Sequence, residues 1–520
     1  MRRSFFWIFP PFGLSISFVL NLFSANADKL SSSVLLAPLI VVSVGVTVLF
    51  CTVWLVLRNL PKASLLSSLF VLLFFSYGHV FALLAQADLG IYGLNRFLLP
   101  LWFLLGALPA VGLLRYKGNL QRIGTSVGLI VLMVLGMSSL GIPAQILVGT
   151  THIKYTPGMK EASLGGANTG DMPDIYYIIL DAHARADVLR DVFGYDNGDF
   201  IDCLTKQGFY VAEESLSNYP WTFLSIPSSL NMRYVDNSSP LVLSSLVQQS
   251  EVVELFRKWG YKYITFSSGY WMTDNITAAD IHYDFDIFND FDQTLIRTTL
   301  LEPVFAIYTF PEQKRQNFWN TLSQLEEIPR NTEATFTFVH VLVTHIPYVF
   351  NRNGTASAPF QERWSGAEDR VGIYLDQIAF VDQKICRLVD RILKESDRPP
   401  VIIIQSDHGP AGETDYKIGI SYETAVHSVL SGEWSPQLNK YWKARLGILN
   451  AYYLPDDKGR ARLYKSISPV NSFRIIADTY LGTEFGMLED RHYFSVGSGT
   501  QTYDLHVLPM HYISGSNLNR

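Results

Sequence analysis

At 520 residues, with 48% apolar residues and a mean hydropathy of +0.15, the chain is too apolar for an ordinary soluble protein and too polar to lie wholly in a bilayer. Its formal net charge of -6 gives no footing for a nucleic-acid partner. Of its three cysteines, Cys51 lies in an apolar stretch, and Cys203 and Cys386 by themselves set neither a metal-ligand spacing nor a disulfide framework.

The apolar excess is N-terminal. Residues Val34 to Leu57, Ser64 to Gln86, Phe97 to Leu114 and Ile123 to Leu147 lack Asp, Glu, Lys and Arg. Each is near the roughly 20 residues that cross a bilayer. Phe5 to Phe23 is a fifth candidate, although Arg2 and Arg3, the apolar stretch and Ala25-Asn26-Ala27 also fit a cleaved signal peptide. Four or five helices are therefore expected within residues 1–150. Arg2, Arg3, Arg58, Lys62, Arg115, Lys117 and Arg122 fall on one side, against Lys29 and Arg96 on the other. The basic side is cytoplasmic by the positive-inside rule, so a multi-pass protein with residues beyond 150 outside the membrane is expected.

Residues 151–173, rich in glycine and small residues from Pro157 to Gly170, read as a linker, and 174–520 as one substantial α/β domain. Ile175 to Leu180 is an apolar run of strand length that ends at Asp181. Tyr261 to Phe266, Ala334 to Leu342 and Leu446 to Leu454 add strand candidates, while Tyr374 to Leu393 has helical spacing and precedes the β-branched run Val401 to Ile404 as a crossover helix would. That run leads to Asp407, His408 and Gly409. Ligands of open α/β sheets bind outside the carboxyl ends of the strands, where Asp181, Asp407 and His408 all sit. Taken alone, Asp-His-Gly fits a strand-ending turn equally well.

Two carboxylates and an imidazole suit Zn²⁺ or Mn²⁺ better than an all-oxygen site would. Asn218 to Met232 (NYPWTFLSIPSSLNM) offers the hydroxyls of Thr222, Ser225, Ser228 and Ser229, any of which could act as a nucleophile beside a metal or could simply cap a helix. Asp382 falls on the amphipathic helix and is expected to be solvated. Arg185 could approach an anion or pair with Asp187.

In this order, and behind an apolar N-terminal region, LDAHARADVL, NYPWTFLSIPSSLNM, VTHIPY and SDHGP resemble the alkaline phosphatase and sulfatase superfamily. The membrane-anchored branch of lipoteichoic acid synthases and phosphoethanolamine transferases looks most similar. The resemblance implies an all-α transmembrane bundle followed by an alkaline-phosphatase-like α/β domain with a mostly parallel central sheet. It implies Asp181, Asp407 and His408 as metal ligands, Thr222 as nucleophile and further ligand, and His345 at the transferred or leaving group. One divalent ion, Mn or Zn, is implied, and a second is left open, with His183, His340 and His427 as available donors; His183, Arg185 and His427 are candidate substrate contacts. The partner is then a membrane phospholipid or envelope glycan, the reaction the movement of a phosphoglycerol- or phosphoethanolamine-type headgroup through a covalent threonine, and the location a plasma membrane of bacterial inner-membrane type. Two departures stand out. Ser225-Ile226-Pro227-Ser228-Ser229 lacks the arginine of the sulfatase C/S-x-P-x-R motif, leaving Ser225 a second-choice nucleophile, and Ile420 and Ser421 stand where the transferases carry a further histidine. A sulfatase or phosphodiesterase acting on extracellular polysaccharide, or an inactive membrane scaffold, are the alternatives.

Overall fold

The computed structural model describes residues 2–27, 29–30, 32–86, 94–140, 172–236, 239–330, 333–357, 367–496 and 504–514. Most of the expected linker, and the end of the expected span Ile123 to Leu147 beyond Leu140, lie outside them. Two compact units result, one of Met1–Lys154 with Phe288–Phe310, the other of Tyr155–Ile287 with Pro311–Arg520.

Among the described residues, the first unit holds five helices long and apolar enough to span a membrane: α1 (Arg2–Ala25), α2 (Leu36–Leu57), α3 (Leu60–Gln86), α4 (Leu94–Arg115) and α5 (Gln121–Leu140). The first apolar segment has a place in the bundle, with Val19 and Phe23 buried beside Val46, Val71 and Phe75. Small residues let α1 and α5 approach closely. A Cβ on Gly13 would lie 2.8 Å from Val131, and one on Gly124 would fall 2.1 Å from the Trp7 ring. Helix Asp290–Arg297 joins this unit from far along the chain, inserting Phe291 and Leu295 into the same apolar cluster.

The second unit is built on a seven-stranded sheet of β1 (Ile175–Leu180), β2 (Tyr210–Val211), β3 (Lys262–Phe266), β4 (Ile281–Tyr283), β5 (Thr335–Val341), β6 (Val401–Gln405) and β7 (Asn450–Tyr453). Their order across the sheet is β2-β7-β6-β1-β5-β3-β4. The pairings β1–β5, β1–β6, β3–β5 and β3–β4 are parallel, and β7 runs antiparallel to β6 and β2. Side chains alternate across a strand, so Ile175, Tyr177 and Ile179 enter one core with Phe336, Phe338 and Ile403, while Tyr176, Ile178 and Leu180 enter the other with Val339, Ile402 and Ile404. Because both faces are covered, β1 is apolar throughout instead of alternating. The expected architecture is the observed one.

One covalent feature goes beyond the sequence reading. Cys203, on helix Gly198–Lys206, is disulfide-bonded to Cys386 on the long helix Ala367–Glu395, across 183 residues of chain. The spacing of two cysteines carries no information about such a distant pairing, which only the packing of the two helices reveals. Replacing both by serine is expected to destabilise the protein by about 2–5 kcal/mol, because a long loop regains its freedom in the unfolded chain. Thermal melts of the parent with and without reductant, beside the double variant, check this: reductant lowers the midpoint of the parent and leaves the variant unchanged.

Candidate metal and nucleophile site

The site forms where β1 and β6 end. Parallel pairing sets Ile179 beside Gln405 on one edge and beside His340 on the other, so Asp181, Asp407 and His408 emerge together. Their ligating atoms lie within 4.8 Å of one another, and all three residues are buried.

Each side chain is oriented by a bond that leaves one lone pair uncommitted. The Asp181 Oδ2 accepts from His340 Nε2 at 3.2 Å, and Oδ1 has no partner. The Asp407 Oδ1 accepts from the Ala182 amide at 3.3 Å, and Oδ2 has none. His408 Nδ1 lies 2.8 Å from the Gly409 carbonyl, which can only accept, so the proton is on Nδ1 and the Nε2 lone pair faces the site. That Nε2 faces Thr222 Oγ1 at 3.1 Å, Asp407 Oδ2 at 3.5 Å and Asp181 Oδ1 at 3.7 Å. Two orphaned carboxylate oxygens and an imidazole lone pair, buried and convergent, fit a divalent cation in number and chemistry. Burial would raise the Asp181 carboxyl, but the imidazoles of His345, His340 and His408 more than offset it and hold the group below the usual carboxylate range.

The turns are tightly constrained. Ala182 takes a φ of 59°, which swings the chain sharply after Asp181 and directs its amide to Asp407. Gly409 donates its amide to the Arg445 carbonyl at 2.9 Å, and a Cβ there would sit 2.0 Å from the Ala444 carbonyl oxygen. Glycine completes Asp-His-Gly because the Ala444–Arg445 backbone passes at that distance.

Thr222 opens helix Thr222–Leu230 and is buried. Ser225, one turn on, donates its hydroxyl to the Tyr219 carbonyl at 3.0 Å; Ser228 bonds to the Arg233 carbonyl and Ser229 to the Ser225 carbonyl. Of the hydroxyls on this helix, the one bonded to His408 is Thr222.

A family model described as "Sulfatase" matches residues 173–459, more than half of the chain. The chain belongs to the sulfatase family. No curated protein matches it. Among solved structures it is similar to the zinc complex of the C-terminal periplasmic domain of EptC from Escherichia coli, at 13% identity and a TM-score of 0.42, covering 62% of this chain and 90% of that one. It is similar also to the lipoteichoic acid synthase LtaP from Listeria monocytogenes, at 14% identity and a TM-score of 0.40 over 63% and 78% of the two chains. A third is the lipooligosaccharide phosphoethanolamine transferase EptA from Neisseria meningitidis, an integral membrane protein, at 12% and 0.39 over 92% and 95%.

The sulfatase-family chain keeps some expected site residues away from this centre. His183 is fully buried, with Nδ1 against the Ala184 carbonyl and Nε2 2.8 Å from Asp382 Oδ1. Asp382 is therefore a buried hydrogen-bond partner of His183 and not the solvated carboxylate expected. Arg185 bonds Asp187 at 2.6 Å and the Ser215 carbonyl at 2.6 Å, which is the pairing alternative. His427 is exposed on helix Tyr422–Leu430. His345 has Nδ1 2.9 Å from the Ile346 carbonyl, leaving Nε2 as its reactive nitrogen.

Three neighbours were not singled out as functional by sequence, except His340 as a spare metal donor. His340 instead binds Asp181, and its Nδ1 accepts from Thr273 Oγ1 at 2.8 Å. Lys314 donates to the His345 and Pro347 carbonyls at 2.7 and 3.0 Å; burial pushes its ammonium down to about 7 against the pull of Asp181. Arg445 is buried over the Trp221 ring, 4.9 Å from its centroid, and bonds the Pro220 carbonyl just ahead of Thr222.

Behind Thr273, burial and then the charge of Asp274 push the Asp286 carboxyl up to about 8. The folded protein therefore holds a proton that the unfolded chain releases between the ordinary carboxyl range and pH 8, so stability falls as pH rises through that window. Asp286→Asn, which keeps the size and supplies a permanent donor, is expected to melt progressively higher than the parent as pH goes from 5 to 8.5. A constant difference would show that the carboxyl is already ionised. Gly409→Ala is expected to cost about 1–3 kcal/mol through overpacking and to lower divalent-metal content, read by elemental analysis of the purified protein.

Proposed function

We propose that the protein is a metal-dependent membrane enzyme that moves a phosphoglycerol- or phosphoethanolamine-type headgroup from a phospholipid through a covalent Thr222 intermediate. The observation that carries this is the Thr222 hydroxyl, 3.1 Å from His408 Nε2 and beside the orphaned oxygens of Asp181 and Asp407. Asp181, Asp407 and His408, with Thr222 as a further ligand, would hold one Zn²⁺ or Mn²⁺, which supplies positive charge against the phosphoryl oxygens and lowers the pKa of the threonine hydroxyl.

The residues divide the remaining work. Thr222 Oγ1 forms the bond to phosphorus as the bond to the lipid oxygen breaks, and the hydroxyl proton ends on that leaving oxygen, delivered by His345 Nε2. The N-terminal end of helix Thr222–Leu230 presents its dipole to the nonbridging oxygens. An acceptor hydroxyl then attacks phosphorus as the bond to Thr222 Oγ1 breaks, and the acceptor's proton passes through His345 Nε2 to Thr222 Oγ1, which restores the threonine hydroxyl. Lys314 fixes the turn that carries His345 through two carbonyls. The engagement of Ser225 with Tyr219 and the serine at position 229 in place of arginine favour this reading over sulfate-ester hydrolysis.

Membrane anchoring suits a lipid donor, because it concentrates the centre at the lipid surface. The bias of Arg and Lys toward the N-terminus, the Arg58–Lys62 turn and the Arg115–Arg122 turn supports a catalytic unit outside the cytoplasm, at a bacterial-type plasma membrane. The Cys203–Cys386 disulfide agrees with an oxidising compartment.

Intact-mass spectrometry tests the reading. The full chain in detergent, loaded with Mn²⁺ or Zn²⁺ and mixed with anionic and zwitterionic phospholipids, is expected to gain a headgroup-sized mass that is absent in Thr222→Ala. Preferential cleavage of sulfate esters over phosphodiesters, without such an adduct, would overturn it.

A further inference from the structure

The excursion Phe288–Phe310 carries a surface that catalysis does not use. It is joined to the membrane helices by more than side-chain packing. The Gly78 amide of α3 donates to the Thr298 carbonyl at 3.0 Å, and the Leu300 amide donates to the Phe74 carbonyl at 2.8 Å. The backbones approach so closely that a Cβ on Gly78 would lie 1.9 Å from the Arg297 carbonyl oxygen. Phe291 meets Phe23 edge-on at 6.3 Å between centroids, and Leu300 packs with Tyr77, Phe81 and Leu98. Counting from Leu60, beside the basic turn at Arg58 and Lys62, Gly78 is about 27 Å along the helix, in the half facing away from the cytoplasm.

Past this anchor, Leu301, Val304 and Tyr308 are 40%, 55% and 66% exposed. Spacings of three and four put them on one helical face. Between Thr298 and Phe310 the only charged residue is Glu302, and it is buried. Charge resumes directly afterwards with Glu312, Lys314 and Arg315. On the other side, Leu300 packs against the cluster that holds Leu98 of α4, whose neighbours Phe97 and Leu101 are 71% and 50% exposed on a spanning helix. The stripe thus extends a surface that already faces acyl chains.

We infer that residues 301–308 lie in the outer leaflet, with Leu301 and Val304 among the upper acyl carbons and Tyr308 at the headgroup level. A short amphipathic segment of this kind, apolar on one face and ending in charge, lies in the interface plane without spanning the bilayer. Tyrosine is the residue type expected at its polar edge. The occupant of the stripe is phospholipid, and the segment from the middle of the catalytic chain becomes a second point of membrane attachment.

Fluorescence quenching of the full chain in phosphatidylcholine–phosphatidylglycerol vesicles tests this. In a Cys51→Ser background, Val304→Cys is labelled with an environment-sensitive dye and compared with Lys458→Cys, an exposed position on helix Asp457–Arg460. Lipids spin-labelled high on the acyl chain are expected to quench position 304 several-fold more than position 458, with aqueous iodide showing the reverse order. Equal iodide quenching at both positions overturns the inference, as does self-quenching between labelled chains with no effect of spin-labelled lipid, which would make the stripe a contact between copies. Labelling at Leu301→Cys repeats the measurement if the first variant fails to fold.

Discussion

The parallel pairing of Ile175–Leu180 with a strand on each edge is the constraint on which the remainder rests. Parallel neighbours deliver their carboxyl ends to the same rim, so three strands contribute to one small volume: Asp181 just past the central strand, Asp407 and His408 past the strand on one side, and His340 near the end of the strand on the other. A one-residue slip in the β1–β6 pairing would reverse which side chains face which core and would part Asp181 from Asp407. The continuous burial of both faces prevents the slip, because every residue of β1 already fills a place in one core or the other. Packing energy far from the site thereby holds the spacing of the ligating atoms.

That arrangement concentrates negative charge where water is scarce. Two buried carboxylates within reach of each other would ordinarily drive one to take up a proton. Here His340 and the Ala182 amide satisfy one oxygen of each, and the surrounding imidazoles keep Asp181 ionised. The remaining oxygens point at the same space as His408 Nε2. The carbonyl of Gly409 selects the His408 tautomer, and the carbonyl of Ile346 does the same for His345, so main-chain geometry decides which nitrogen is available at each.

How much of this could be read in advance follows from the range of each interaction. The strands that end in Asp181 and in Asp407-His408 were legible because an apolar run and the residue after it are one local pattern. From the residues alone Thr222 was one of several hydroxyls and only the resemblance singled it out, whereas the structure distinguishes them by their partners. His183 and Arg185, two and four residues beyond Asp181, looked like site residues by proximity in sequence. The positive φ at Ala182 turns the chain between them and the metal centre, and they end on Asp382 and Asp187. The disulfide, Lys314 and Arg445 depend on contacts across long stretches of chain, to which periodicity and spacing are blind. The excursion Phe288–Phe310 was hidden for another reason: thirteen apolar-rich residues from Thr298 are too few to register as a span, although their near-lack of charge was visible.

The nucleophile helix shows how structural commitments narrow chemistry. Ser225, Ser228 and Ser229 each bond to a main-chain carbonyl, and Pro227 sits within the same two turns, so the stretch that matches the C/S-x-P-x part of the sulfatase motif is here occupied with main-chain bonds. Thr222 escapes because it stands at the helix start, where the side chain can turn outward from the helix axis toward His408. Arg445 then bonds the Pro220 carbonyl and covers Trp221, while its own carbonyl takes the Gly409 amide. One residue thus spans from the turn after the metal ligands to the turn before the hydroxyl, and the distance between Thr222 and His408 is held from both ends.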